Sequence, residues 1–302
     1  FAPKRVFYVP TSENALTGIS IGAALNNVRS VVSHQRLDFF LLAMDQLVNS
    51  AAKWHYMFGS KVSVPITIRL IIGRGWGQGP THSQNLQSWF NHIPGLKVVM
   101  PTFANDARDV LISSIFDPNP VLFLEHRWLH ENKEVKKKIG SIKKIKSKIC
   151  AKGKDITIVS TSYLTIEALR AADFLKKYYN ISAEIIDLIS IKPLDLNTIL
   201  KSVAKTKNLI VADTGFSTGS IANDIIYEVM SSNKKSILTS FPKKIAMPNV
   251  PEPTSYGLTK NFYVRANKIT DEVLKTLSIK KNKEFILKEP IPHDVPGNWF
   301  KG

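Results

Sequence analysis

The stretch IGRGWGQGPTHSQNLQSWFNHIPGLKVVMP, residues 72–101, places an unusual glycine loop between two apolar β-rich segments. Glycine occupies every second position at the start of this stretch, at Gly73, Gly75, Gly77 and Gly79. Neither a regular strand nor a helix tolerates that spacing, because glycine weakens both. The backbone must therefore bend sharply in this loop or let another group approach it closely.

A short helix is expected after the loop. Apolar residues at Leu86, Trp89 and Phe90 have helical spacing, with Thr81 or Ser83 as the expected N-cap. His82 then lies between the glycine loop and a helix start, where backbone N–H groups face outward. That position suits an active-site residue, although a histidine at a helix start more often has a capping or packing role.

Outward from the loop, β-rich and helical segments alternate in the first half of the chain. Strands are predicted at 5–9, 29–33, 62–70, 96–100 and 121–125, and helices from Thr11–Asn14 onward, at 38–57 and at 105–116. This order indicates βαβ units and a mainly parallel sheet.

The same alternation restarts in the second half, with strands at 155–160, 183–188 and 208–212 and helices at 164–178, 196–203 and 220–230. We therefore predict two three-layer α/β domains with mainly parallel sheets. The expected boundaries are 1–135 for the first domain, 136–154 for a lysine-rich linker, and 155–302 for the second domain with an extended tail after Lys283.

Composition limits the class of protein. The chain has 302 residues, 44% of them hydrophobic, and a formal net charge of +17. No apolar run is long enough for a transmembrane helix, which needs about 20 residues. The single Cys150 excludes a disulfide framework and favours a reducing, cytoplasmic compartment. Because the sequence starts at Phe1, close to its first expected strand, we expect that its native N-terminus is missing.

The positive charge has two interpretations. The densest basic run, residues 131–154, is rich in lysine and has no interleaved aromatic residues of the kind that bind single-stranded nucleic acid. A solvated lysine-rich surface is therefore favoured over a nucleic-acid or other anionic partner, and we expect neither nucleic-acid nor membrane binding.

Local motifs do not by themselves give a function. The glycine loop is neither a Walker loop nor a GxGxxG fingerprint, and no GxSxG elbow is present. The Gly-Asp-Gly…Asn pattern that holds a magnesium diphosphate in thiamine enzymes is also absent. Glu13 falls in a first helical turn, where the helix dipole alone is sufficient reason for a carboxylate.

Six stretches together resemble one family, in the same order along nearly the whole chain. They are SEN (12–14), AMDQLVNSAAKWHYMFG (43–59), VPITIR (64–69), PTHSQNLQSWFNHIPGLKVVMP (80–101), DPNPVLFLEHRWL (117–129) and IDLISIKPLD (186–195). The chain thereby resembles the beta subunit of thiamine-diphosphate-dependent 2-oxo acid dehydrogenases of the pyruvate, branched-chain and acetoin type.

The resemblance implies a transketolase-like pyrimidine-binding domain followed by a transketolase C-terminal domain. It also implies an active site between subunits, in which a separate alpha subunit holds the diphosphate and most of the magnesium contacts. The expected activity is decarboxylation of a 2-oxo acid, with transfer of the acyl group to lipoamide or another acceptor. The expected assembly is an α2β2 heterotetramer, which in some relatives joins a lipoyl-bearing core.

The resemblance also assigns residues. Glu13 matches the carboxylate that hydrogen-bonds the cofactor's aminopyrimidine, Phe39 the aromatic residue that packs on that ring, and His82 a loop histidine that relays protons or stabilises oxyanions. A structural potassium site of related beta subunits maps to Ile66, Ser114, Ile115, Asp117 and Asn119. A plain turn at residues 117–120 explains the last two residues equally well.

Two departures leave the branch of the family open. Arg36 and Arg74 lie in stretches that are bulkier and more basic than in the pyruvate enzymes, so either could bind a carboxylate or phosphate of an unusual substrate. Surface or interface arginines are the alternative. A carboligase that forms an acyloin, and a non-catalytic assembly or regulatory subunit, remain competing interpretations of the whole chain.

Overall fold

The computed structural model describes residues 4–6, 8–75, 77–140, 145–232 and 238–287, with the backbone alone at Tyr256 and Lys260. In the first domain, the elements are α1 (Glu13–Leu25), β1 (Ser30–His34), α2 (Leu37–Phe40), α3 (Ala52–Met57), β2 (Ile66–Ile72), α4 (Gln87–His92), β3 (Lys97–Val99), α5 (Ala104–Phe116) and β4 (Val121–His126). Strands β1, β2, β4 and β3 are parallel neighbours in that spatial order. The short βαβ connections predicted from the sequence produce this arrangement.

The second domain contains β5 (Lys148–Ala151), β6 (Ile156–Ser160), α6 (Tyr163–Tyr179), β7 (Ala183–Asp187), β8 (Ser190–Lys192), α7 (Leu196–Thr206), β9 (Leu209–Phe216), α8 (Ile221–Ser231), β10 (Lys243–Met247), α9 (Tyr256–Phe262) and α10 (Ala266–Thr276). Its sheet has the order β10-β9-β6-β7-β5, and only β5 is antiparallel to its neighbour. β8 instead pairs antiparallel with β3, so the second domain adds an edge strand to the first sheet.

Apolar side chains pack on both faces of each sheet, which gives the three layers that were predicted. In the second domain, one core lies under α6 and α10 and another under α7 and α8. In the first domain, a large core lies under the helices before α5, and a smaller one lies under α5. The prediction of two α/β domains is confirmed.

Several local predictions were wrong. The described residues within 5–9 form no strand. The helix expected at 38–57 is interrupted, because a 3-10 turn at Leu41–Ala43 and π-helical turns at Gln46–Ala51 separate α2 from α3. The helix after the glycine loop starts only at Gln87, with Leu86 as its N-cap. Ser83 does not cap it, since the Ser83 hydroxyl donates to the carbonyl of Gln78 within the loop.

The lysine-rich stretch 136–154 is not uniform. Residues 136–140 are exposed and extended, whereas β5 lies near the end of the stretch and pairs with β7. Most of the expected tail, residues 288–302, lies outside the described residues. Within the described part of the chain, no helix has the length and apolar character needed to cross a membrane.

Candidate functional site

The carboxyl ends of β1, β2 and β4 meet at one edge of the first sheet, at His34, Ile72 and His126. The segments that follow these strands surround an open cavity of about 460 Å³. Its lining residues are Gln35, Arg36, Phe39, Ile71, Gln78, His82 and Arg127. Ligands of parallel α/β sheets commonly bind beyond the carboxyl ends of the strands, so this cavity is the candidate site.

The glycine loop forms one wall because other groups crowd its backbone. Gly73 has φ of +75°, and a Cβ there would lie 2.2 Å from Nε2 of His126. Gly77 has φ of +66°, a conformation that side chains rarely adopt. At Gly79 a Cβ would lie 2.1 Å from Oγ1 of Thr254, so the loop also touches the second domain.

Phe39 and His82 come together at this cavity, although 43 positions separate them in the sequence. Their ring centroids are 5.2 Å apart and the rings are nearly perpendicular, at 89°. Phe39 remains 39% exposed, which leaves a ring face available to a ligand. The Nδ1 atom of His82 lies 2.9 Å from the hydroxyl of Thr81.

Glu13 is the first residue of α1 and is half-buried. It is not among the residues that line the cavity. The Glu13 carboxylate nevertheless interacts electrostatically with His34, at the end of β1. Burial lowers the pKa of His34, and the charge of Glu13 partly opposes that shift. The buried Nε2 of His34 has no hydrogen-bond partner among the described residues.

Arg36 holds the glycine loop against the end of β1. It is only 4% exposed, and its Nη1 donates to the carbonyl of Gly73 at 2.8 Å while Nη2 donates to Oε1 of Gln78. Burial lowers the pKa of Arg36; Asp38 opposes that shift and Arg127 adds to it.

Arg74 lies elsewhere. It is fully buried and does not line the cavity, because its Nη1 and Nη2 donate to the carbonyls of Pro253 and Thr254 at 2.9 and 2.8 Å. Of the two interpretations left open for Arg74, these contacts favour the interface arginine, whose guanidinium joins the glycine loop to the second domain.

Arg127 lines the cavity although the sequence did not predict it, and the same holds for Gln35, Ile71 and Gln78. Arg127 directly follows β4, and its Nη1 lies 3.0 Å from Nδ1 of His130. The signal was available, since the first residue after a strand of a parallel sheet is a common site position. The adjacent His126 is fully buried, and burial lowers its pKa to about 3. It is therefore a neutral ring.

The carboxyl groups of Glu252 and Asp38 interact electrostatically near the contact between the glycine loop and the second domain. Glu252 is 2% exposed, and burial raises its pKa to about 7, with a further contribution from the charge of Asp38. Asp38 accepts a hydrogen bond from Nε2 of Gln84 at 2.8 Å. Glu252 belongs to the same connection between β10 and α9 that Arg74 holds.

Two of the residues expected to bind potassium, Ile115 and Asp117, contact cationic side chains of the chain itself. The carbonyls of Ile115 and Asp117 both accept from Nη1 of Arg29, at 3.0 and 2.9 Å. The carboxylate of Asp117 bonds Nζ of Lys97 and accepts from the backbone N–H of Asn119 at 2.9 Å. The turn at 117–120 is thus present, and its Asp117 carboxylate pairs with Lys97. The described residues contain no cluster of three or more His, Cys, Asp or Glu suited to a metal ion.

Comparisons with known proteins identify the two domains of the chain. Residues 1–132 match the family model "Transketolase, pyrimidine binding domain", and residues 146–269 match "Transketolase, C-terminal domain". The chain is 37% identical over 284 residues to the mitochondrial pyruvate dehydrogenase E1 component subunit beta of Saccharomyces cerevisiae, covering 93% of this chain and 78% of that protein.

Two further relatives are informative. The beta subunit of acetoin:2,6-dichlorophenolindophenol oxidoreductase from Cupriavidus necator is 37% identical over 274 residues, covering 90% of this chain and 80% of the relative. A solved structure described as "Split gene transketolase, inactive beta4 tetramer" superposes with a TM-score of 0.74 over 93% of this chain and 86% of that one. At 22% identity this second likeness shows the fold alone.

Proposed function

The chain belongs to the family of pyruvate dehydrogenase E1 component beta subunits, the beta subunits of thiamine-diphosphate-dependent 2-oxo acid dehydrogenases, and from that premise we propose how its own residues act. We propose that, together with an alpha subunit, it decarboxylates a 2-oxo acid and passes the acyl group to lipoamide or another acceptor.

The observation that supports this proposal most directly is the perpendicular pair Phe39 and His82 at the mouth of the cavity. An exposed aromatic face beside a histidine fits a flat, nitrogen-containing ring, which packs on one and exchanges hydrogen bonds with the other. The residues present therefore fit the pyrimidine end of thiamine diphosphate.

Each residue has a separate task. The carboxyl of Glu13 would hydrogen-bond a ring nitrogen of the pyrimidine and so would favour the tautomer that accepts a proton. Phe39 holds the ring by packing. His82 donates a hydrogen bond to oxygen as negative charge develops there, or carries a proton to and from it. When bound, thiamine diphosphate supplies the electron sink for loss of CO2.

We assign the diphosphate and most contacts to magnesium to the alpha subunit, because the sequence lacks the motif that binds them. The proposed assembly is an α2β2 heterotetramer, and a lipoyl-bearing core is its acyl acceptor where one exists. The cytoplasmic location expected from a single cysteine stays part of the proposal. Burial raises the pKa of the Cys150 thiol to about 12, so this thiol remains protonated at neutral pH.

A potassium ion beside residues Ile66, Ser114, Ile115, Asp117 and Asn119 is a further part of the proposal. Its support is that two backbone carbonyls of this set already converge on a cation, the guanidinium of Arg29. We expect a higher Tm in KCl than in LiCl at equal ionic strength. Equal values would remove potassium from the proposal.

The direct test is Glu13→Gln, which keeps the shape of the side chain but cannot share a proton with the ring. In the complex with the alpha subunit, turnover of a 2-oxo acid should fall by at least about 100-fold, the usual scale of a lost acid–base group. Circular dichroism and Tm should stay near wild type. Asp173→Asn, at an exposed carboxylate on α6, is the matched control.

Normal turnover by Glu13→Gln would contradict the role assigned to Glu13 and would favour the interpretation as an assembly or regulatory subunit.

The similarity to the acetoin oxidoreductase subunit leaves a carboligase, which forms an acyloin, as the alternative to transfer of the acyl group to lipoamide. Product analysis separates the two, because a carboligase yields an acyloin from the same 2-oxo acid.

A further inference from the structure

The described residues that line the cavity together carry positive charge, and the carboxylates that act on its two arginines, Asp38 and Glu131, lie outside the lining. The lining includes two arginines and a histidine, and none of the described residues that line the cavity is acidic. The neutral His126 adds no charge behind them. A substrate such as pyruvate brings one carboxylate and a methyl group, so it uses only one anion-binding group. The second arginine has no role in that chemistry.

The two guanidinium groups approach the same point from the ends of β1 and β4, which lie on either side of β2. A Cβ placed on Gly75 would lie 3.6 Å from Nη2 of Arg36 and 3.6 Å from Nε of Arg127. The missing side chain at Gly75 thus makes room for both groups. Their like charges oppose each other, since Arg127 lowers the pKa of Arg36.

Arg36 is held in a fixed position while it keeps donors for a ligand. The carbonyl of Gly73 and Oε1 of Gln78 each accept one of the five N–H groups of its guanidinium. The carboxylate of Asp38, which raises the pKa of Arg36, has one oxygen engaged with Gln84. A rigid guanidinium beside a second one is an arrangement suited to bidentate binding of carboxylate or phosphate.

We propose that Arg36 and Arg127 bind an anionic group at the far end of the substrate, so that the enzyme selects 2-oxo acids with a second acidic group over neutral ones. The inference rests on the proposed function and deepens it. The second group is a carboxylate or a phosphate ester, which share the chemistry that two arginines recognise.

The test compares substrates of one chain length in the complex with the alpha subunit. 2-Oxopentanoate has a neutral end, 2-oxoglutarate ends in a carboxylate, and 2-oxo-4-phosphonobutanoate ends in a phosphonate that represents a phosphate. We expect kcat/KM for at least one of the two dianions to exceed that for 2-oxopentanoate roughly 10- to 100-fold, the worth of one charge-assisted hydrogen bond. The better dianion identifies the source of the anionic group.

Variants at position 127 identify the residue responsible. Arg127→Met should lower kcat/KM for the preferred dianion at least about 10-fold more than it lowers kcat/KM for 2-oxopentanoate. Arg127→Lys should keep part of the preference because the charge remains. Arg108→Met is the control, since Arg108 bonds Asp109 and backbone carbonyls of 137–138 away from the cavity.

Calorimetric titration of the same dianions into the complex gives a readout apart from turnover. Dianion binding that weakens in Arg127→Met but not in Arg108→Met supports the inference, whether or not the complex turns over any substrate. If the complex binds the dianions but turns over none of the 2-oxo acids, the proposed function is contradicted and the inference is not. Preferred turnover of 2-oxopentanoate by the wild type, or an equal loss for neutral and dianionic acids in Arg127→Met, would overturn the inference while the proposed function stands.

Discussion

The buried carboxyl of Glu252 gives the chain a pH-dependent stability. Its pKa is raised from 4.5 to about 7 by burial, and the charges that face it are Asp38 and, when ionised, Tyr263. The folded chain therefore keeps this proton where the unfolded chain releases it. The native state binds more protons between pH 4.5 and 7, so this contribution is fully present below pH 4.5 and is lost as pH rises through 7.

We expect Glu252→Gln to remove this decrease of the unfolding free energy with rising pH, because glutamine does not titrate. Relative to the variant, the wild type should lose on the order of 3 kcal/mol of unfolding free energy between pH 4.5 and 7.5, since each pKa unit is worth about 1.4 kcal/mol. Urea unfolding at several pH values measures it. Part of the pH dependence should remain, because burial also raises the pKa of Asp187 to about 7.

The control is Glu228→Gln on the exposed face of α8, which should follow the wild-type curve at every pH. If Glu252→Gln did so too, the Glu252 carboxyl would not be held protonated in the folded chain.

The conformation of the glycine loop, residues 73–75 and 77–79, is fixed by the side chains that contact its backbone, including His126 and Thr254. A side chain at Gly73 would meet His126, and the φ of +75° there disfavours any residue with a Cβ. We expect Gly73→Ala to lower the unfolding free energy by about 2 kcal/mol or more, since the left-handed conformation alone costs about 1–2 kcal/mol. Thermal unfolding and circular dichroism measure the effect.

Gly22→Ala in α1 is the matched control for that variant. A Cβ at Gly22 meets nothing within 4 Å, and alanine is the better helix former by about 1 kcal/mol, so its Tm should stay equal or rise. Equal Tm changes in both variants would contradict the close approach of His126 to the loop.

Element types were predictable from sequence where periodicity and turn residues agreed, as in α5, β4, α6 and α8. The glycine spacing likewise predicted a tight loop, and the loop's contacts with His126 and Thr254 confirm a close approach. The interruption between α2 and α3 was not predictable, because one 3-10 turn and a short π-helical segment are too brief to change the apolar period of the whole segment.

The composition of the cavity depends on tertiary contacts, which explains the errors there. Arg36 and Arg74 are indistinguishable by local pattern, yet one faces the cavity and the other bonds the second domain. Arg127 becomes a cavity residue only because β4 lies beside β2, a sheet order that the sequence does not state. β8 was missed because it is a three-residue strand that joins the other domain's sheet.

At the scale of the whole molecule, the two domains are joined by buried polar and aromatic contacts. Nε2 of Gln87 donates to Oδ1 of Asp213 at 2.7 Å and to Oγ1 of Thr214 at 3.1 Å. The Trp128 ring, just after β4, lies 4.8 Å from Tyr163 and 5.2 Å from Tyr263 between ring centroids. The second domain thus supports the cavity edge through Trp128 and through the Arg74 contacts.

The central claim is that this chain supplies only part of the cofactor site. The most direct measurement is calorimetric titration of thiamine diphosphate with magnesium into the chain alone and into its mixture with the alpha subunit. We expect a saturable binding heat only in the mixture, and we expect that heat to be lost or markedly weakened with Glu13→Gln. Tight binding by the chain alone would contradict the split site, and absence of binding in both would contradict the thiamine-dependent function itself.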